Sequence, residues 1–303
     1  MREINIAVQS AGRGEAHLIA DTCYLLSRPT SLQSDLYVLL DATVGLSSVF
    51  GAETAAEHFS IRIDGYRNAP LRLVKIERKN EQVLQESVSL YRAARKRRSR
   101  SQVIAWIRSS TTTECLKGAL GRVIDNERRM GSGDPMRVFD SKSVPHWPYA
   151  MSRQQVQFVN RSLSGLAFLD FQADLQWLCM DSRPEQAVER SIRKCFNYER
   201  VQLINETLET LRKLDVLEVS IEKAHRFAQS IMSRPCRMNI LDRVILLAHA
   251  LILDCDFHTS PSISALLNGK AGMGNSLIQT LGRLGPEELD RIRDTLIMKH
   301  GAG

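Results

Sequence analysis

Asp35-Leu-Tyr-Val-Leu-Leu-Asp-Ala42 places five apolar or aromatic residues between two aspartates. A short run of this kind, closed at both ends by turn-forming carboxylates, reads as a strand. Similar short runs follow it: Leu71–Ile76 (LRLVKI), Gln102–Arg108 (QVIAWIR) and Met136–Asp140 (MRVFD). Leu166–Asp170 (LAFLD) and Ala173–Leu178 (ADLQWL) read as a terminal hairpin. Helical spacing fills the intervals. Glu81–Arg95 aligns Leu84, Val88 and Tyr91, and Glu114–Asn126 aligns Leu116, Leu120 and Val123 behind a Thr111-x-x-Glu114 capping pattern. Ser152-x-x-Gln155 opens another helix, with Val156, Val159 and Leu163 on one face. Strands alternating with helices predict an α+β or mixed α/β N-terminal lobe over residues 35–180, preceded by a helical extension over 1–34.

From Pro184 onward the strand signals stop, and an all-α C-terminal lobe over 181–303 is predicted. Ser182-Arg183-Pro184, Ser260-Pro261 and Gly285-Pro286 each place proline where a first helical turn accepts it. Val188, Ile192 and Cys195 form one apolar stripe; Val201, Ile204, Leu208 and Leu211 form a second. Leu217, Ile221, Ala224, Ala228 and Ile231 form a third. Ile240–Leu253 is apolar on nearly every side and is expected to be the helix that the others surround. Pro261–Asn268 stops at Gly269, and Leu289, Ile292 and Leu296 stripe the last helix.

The 303 residues suffice for about two ordinary domains, and 43% hydrophobic with 25% charged residues is a globular balance. The N-terminal twenty residues hold Arg2, Glu3, Arg13 and Glu15 and no sustained apolar stretch, unlike an export signal. The most apolar run, Val244 to Leu253, falls short of the roughly 20 residues a membrane span needs. Cys23, Cys115, Cys179, Cys195, Cys236 and Cys255 form no CxxC pair and suit reduced thiols. A cytoplasmic protein without stable membrane insertion is expected.

No pattern in the sequence supports a catalytic, metal or cofactor assignment. In Gly269-Lys-Ala-Gly-Met-Gly274-Asn275-Ser276, Asn275 stands where a phosphate loop needs lysine. Cys255-Asp-Phe-His258 lacks the second ligand pair of a structural zinc site, and His225 and His249 are isolated. Ser162-Leu-Ser164-Gly165 lacks the first glycine of a nucleophile elbow, and Glu53, Glu57 and His58 do not have zincin spacing. Asp41 and Asp140 could form a carboxylate pair, but aspartates at strand ends are usually turn or cap residues. One polar feature stands out. Arg92, Arg95, Lys96, Arg97, Arg98 and Arg100 account for six of the seven net positive charges. Such a run can bind nucleic acid as part of a regulatory protein. With no aromatic residue interleaved, a solvated helix end or a contact with an acidic protein is the favoured reading.

Between Leu36 and Leu178 the chain resembles the type VI secretion effector adaptor/chaperone family, long labelled as a domain of unknown function. The similarity is carried in order by Tyr37-Val-Leu-Leu-Asp41-Ala42, by Leu116, Leu120 and Arg122, and by Met136-Arg137-Val-Phe139-Asp140-Ser141-Lys142-Ser-Val144. Gln155, Leu169-Asp170 and Trp177 complete it. Met136, Ser141 and Lys142 depart from the family's aromatic, proline and arginine. Asp256-Phe-x-x-Ser-Pro-x-Ile-x-x-Leu is similar to part of the family's variable C-terminal half. The resemblance implies a non-catalytic adaptor that binds the N-terminal region of a toxic effector and delivers it to the VgrG or PAAR spike protein. Asp41, Arg137, Phe139, Asp140 and Trp177 are its motif residues, and for Arg137 and Asp140 an ion pair locking a strand end is favoured over direct contact with the effector.

Overall fold

The computed structural model describes residues 2–4, 15–27, 34–45, 50, 57–61, 70–77, 81–97, 99–131, 134–170, 174–179, 196–214, 219–233, 238–269, 281 and 284–300. Its strands are β1 (Arg2–Ile4), β2 (Asp35–Asp41), β3 (His58–Ile61), β4 (Leu71–Ile76), β5 (Val103–Ser109), β6 (Gly165–Leu169) and β7 (Leu175–Cys179). They form one sheet in the order β1-β7-β6-β5-β2-β4-β3. Every pairing is antiparallel, so the alternating signals produce an α+β lobe rather than parallel crossovers. β2, the opening stretch, sits between β4 and β5 and is buried from Leu36 to Asp41. Its register with β5 shifts between Leu39 and Leu40, a bulge near the strand's end.

The helices of this part are α1 (Glu15–Ser27), α2 (Glu81–Arg97), α3 (Thr113–Arg129), the single turn α4 (Trp147–Ala150) and α5 (Arg153–Asn160). α2 lies on β4 and β5. There the Trp106 indole donates to Ser87 Oγ at 2.8 Å and meets the Tyr91 ring edge-on at 5.3 Å. That indole is wholly buried, and a buried indole N–H needs such an acceptor. α5 begins with the full Ser152/Gln155 capping box that its sequence predicts. α3 is capped one residue later than expected, by Thr112, whose hydroxyl accepts from Cys115 N.

Three expectations need correction. Residues 1–34 are not simply a helical extension: Arg2–Ile4 pair with β7, from Arg2 opposite Cys179 to Ile4 opposite Trp177. Three residues make too short an alternation to be read from sequence. Met136–Asp140 is not a strand but lies in a 3-10 turn over Pro135–Phe139. Asp134 accepts from Met136 N at 3.0 Å, and Pro135 supplies the fixed φ that starts the turn. The boundary between compact units falls at Asn197/Tyr198, not near residue 180. Phe196 N donates to the buried Glu127 carboxylate at 2.7 Å and Asn197 N to Ala150 O at 3.1 Å, which ties this strip to the first unit.

In the second unit the described elements are helical: α6 (Tyr198–Lys213), α7 (Ile221–Met232), α8 (Ile240–Leu253), a 3-10 turn at Phe257–Thr259, α9 (Pro261–Gly269) and α10 (Pro286–His300). Val201, Ile204, Leu208 and Leu211 are buried on α6; Ala224, Ala228 and Ile231 are buried on α7. α8 packs against both, yet it is not enclosed as its composition suggests. Leu246, Leu247 and Ala250 are buried, while Leu241 and Ile252 are 52% and 51% exposed. α8 ends at Asp254 in the left-handed region (φ 50°), a position that glycine usually takes, and Lys223 bonds its carboxylate at 2.8 Å. Ser182-Arg183-Pro184, the Val188 stripe, Leu217 and the glycine-rich turn beyond Gly269 lie outside the described residues.

Candidate functional site

Asp41 closes β2 and is 2% exposed. Its Oδ1 accepts from Thr43 N at 2.9 Å and from the Thr43 hydroxyl, capping a 3-10 turn over Ala42–Val44. Its Oδ2 meets Arg100 Nη2 at 2.7 Å. A carboxylate this buried needs both kinds of partner. Asp41 is thus the turn residue that its place at a strand end predicts. Its cation comes from the basic run.

Only part of the run behaves as a solvated helix end. Arg92 is 5% exposed. Arg95 turns inward: its Nη2 donates to Leu169 O at 2.9 Å and to Ser141 O at 3.1 Å, and its guanidinium lies 5.5 Å from the Tyr91 ring centroid. The Tyr91 hydroxyl donates to the same Ser141 carbonyl at 3.3 Å, and burial pushes its pKa up. One arginine therefore joins the end of α2 to the end of β6 and to the turn after Phe139. Arg100 neutralises Asp41. Lys96 and Arg97 are exposed, and Arg98 lies outside the described residues. Charge clustered in sequence is divided among three different tasks in space.

The motif residues are likewise built into the frame. Phe139 is buried and packs edge-on against Trp147 at 5.5 Å, and Trp147 Nε1 donates to Val138 O at 2.8 Å. The Asp140 carboxylate accepts from Lys142 N at 2.8 Å, an Asx turn. The expected Arg137–Asp140 ion pair is not formed: Arg137 is exposed, and only Asp140 N meets it, through Arg137 O at 3.1 Å. Asp140, three residues on from Arg137, spends its carboxylate on its own turn instead. Trp177, on β7, lies under the Arg108 guanidinium at 5.1 Å from its ring. Arg108 Nη2 in turn donates to Leu26 O, at the end of α1, at 2.7 Å. Burial holds the Arg108 pKa below its ordinary value, and that carbonyl and that ring both face the cation.

Three residues that the sequence reading does not single out complete this frame. Arg108 and Glu127 look like any charged residue in a strand or helix. Gly165 had a signal: a glycine starting a strand often marks a close approach. A Cβ there would stand 2.7 Å from Trp177 Cζ2, so Trp177 packs directly on the bare backbone.

The isolated polar residues have structural partners. His258 Nε2 lies 3.0 Å from Ser230 Oγ, and His249 Nδ1 lies 2.8 Å from Ile245 O while its ring stacks on Phe257. His225 is buried on α7. Burial pushes the Cys255 thiol up to about 11 and the Cys23 thiol to about 12, which makes both poor nucleophiles at neutral pH. Ser162 donates from Oγ toward Cys115 O at 3.5 Å, at the foot of α3. Among the described residues, no three His, Cys, Asp or Glu side chains gather as metal ligands. No helix among them is long and apolar enough to cross a membrane. No family model, curated protein or solved structure matches the chain.

Proposed function

We propose that this chain is a non-catalytic adaptor of type VI secretion: it binds the N-terminal region of one toxic effector in the bacterial cytoplasm and helps load it onto the VgrG or PAAR spike protein. The observation that carries this reading is the collinear order of the quoted fragments from Tyr37-Val-Leu-Leu-Asp41-Ala42 to Trp177. The use of those positions supports it. Asp41, Phe139, Asp140 and Trp177 cap turns and pack the sheet, as residues do when the scaffold rather than a reaction is what must be kept. The alternative, a nucleic-acid regulator acting through residues 92–100, needs those cations as one outward surface. Arg92, Arg95 and Arg100 are instead engaged with the protein itself.

An apolar effector segment left unshielded tends to aggregate. Deleting the gene should therefore lower one effector's level in cell lysate and in culture supernatant, while the structural components of the spike are still released. Unchanged level and export of every effector in the deletion strain would refute the adaptor reading.

A further inference from the structure

We infer that the exposed face shared by α3 and α5 is a docking surface for an acidic, small-residue helical segment of a partner polypeptide; under the adaptor reading, on which the partner's identity rests, that segment belongs to the effector or the spike. The two helices lie side by side in opposite directions. Ser162 reaches Cys115 O, Arg122 lies 5.4 Å from the Phe158 ring, and Asn126 Nδ2 donates to Gln154 Oε1 at 3.1 Å. Cys115, Gly118, Arg122, Asp125 and Arg129 recur at helical spacing along the outer flank of α3, and all are exposed. Arg153 and Arg161 are exposed at the two ends of α5.

Charge comes first. Arg122, Arg128, Arg129, Arg153 and Arg161 make no ion pair with any described residue. On α3's exposed side only Glu114, already bonded to Lys117 at 2.8 Å, and Asp125 oppose them. Arg122 is the best placed, because the half-buried Phe158 ring holds its guanidinium in position before any partner arrives. Backbone comes second. Gly118 and Gly121 sit inside α3, where each destabilises the helix relative to alanine. A Cβ at either would meet nothing within 4 Å, so no packing inside this chain requires them. Glycine on an open helix flank lets another helix approach closely.

The observations favour carboxylates on a helix over a phosphate backbone. Guanidinium forks match carboxylates two bonds at a time. Asp125 and Glu114 would repel a continuous polyanion but can be avoided by a helix that carries its charges at intervals. The one aromatic residue here, Phe158, is occupied by Arg122 and is not offered to a base.

The probe is a fluorescent helical peptide rich in glutamate and alanine, titrated into the full chain and checked against a single-stranded DNA of similar length. The peptide should bind saturably and shield Cys115 from alkylation. Affinity should fall about tenfold or more in Arg122→Ser/Arg129→Ser/Arg161→Ser and stay within about twofold in Lys96→Ser/Arg97→Ser. Gly118→Leu should also weaken binding, although its side chain projects into open space and leaves the fold intact. Wild-type affinity in both the triple variant and Gly118→Leu overturns the proposal, as does tighter DNA binding lost in the same triple variant. If the peptide pattern holds but the gene deletion spares every effector, the surface stands and the secretion reading falls. If the deletion abolishes export and the triple variant restores it fully, the secretion reading stands and this surface falls.

Discussion

Two basic regions lie on the first unit, and they are built in opposite ways. At the end of α2, six cations fall within nine residues, and the protein itself engages Arg92 in the interior, Arg95 on the carbonyls of Leu169 and Ser141, and Arg100 on Asp41. Along α3 and α5, five arginines are spread over forty positions of sequence and meet no acidic partner among the described residues. Density along the chain reports where a helix ends against other elements that need donors. Exposed arginines carried on two neighbouring helices, each unremarkable alone, make the surface proposed above. A net charge close to zero outside the run conceals that second region.

The largest expected effect is on the first region. Arg95→Ala leaves two carbonyls without a charged donor and should cost about 2 kcal/mol in denaturant unfolding, the usual range for a hydrogen bond to an ionised group. Lys96→Ser/Arg97→Ser, one residue further along the same run, should shift stability by less than about 0.5 kcal/mol. Equal effects from the two variants would mean that the run is a uniform surface after all.

The glycines sharpen the same contrast. Gly165→Ala drives a methyl into the Trp177 ring and should destabilise by about 1–3 kcal/mol. Gly118→Ala adds a methyl to open space and should stabilise by about 0.5–1 kcal/mol. Chemical denaturation of the two variants side by side reads both signs; a loss of stability in Gly118→Ala would mean that the flank of α3 is already packed.

What the sequence made legible follows the strength of local signals. The run from Leu36 to Leu40 is long and wholly apolar, and it became a central strand. Ser152 and Gln155 stand at the spacing that a capping box requires, and they form one. Arg2–Ile4 was missed because its pairing depends on a β7 that lies far along the chain. Met136–Asp140 was misread because its apolar residues are buried by packing, as with Phe139 on Trp147, without entering the ladder; the Asp134-Pro135 pair was the better guide. The Arg95 contacts span 46 and 74 residues, beyond any periodicity. Trp177 and Asp41 were legible as motif positions, but their partners Arg108 and Arg100 were not.

A thermal-shift titration with the glutamate- and alanine-rich peptide tests the division between the two regions most directly, because one experiment reads the unliganded Tm and the rise that binding produces. Arg95→Ala should melt several degrees below wild type and keep the full peptide-induced rise. Arg122→Ser/Arg129→Ser/Arg161→Ser should melt with wild type and lose the rise. A triple variant that keeps the full rise, or an Arg95→Ala protein that melts with wild type, would contradict it.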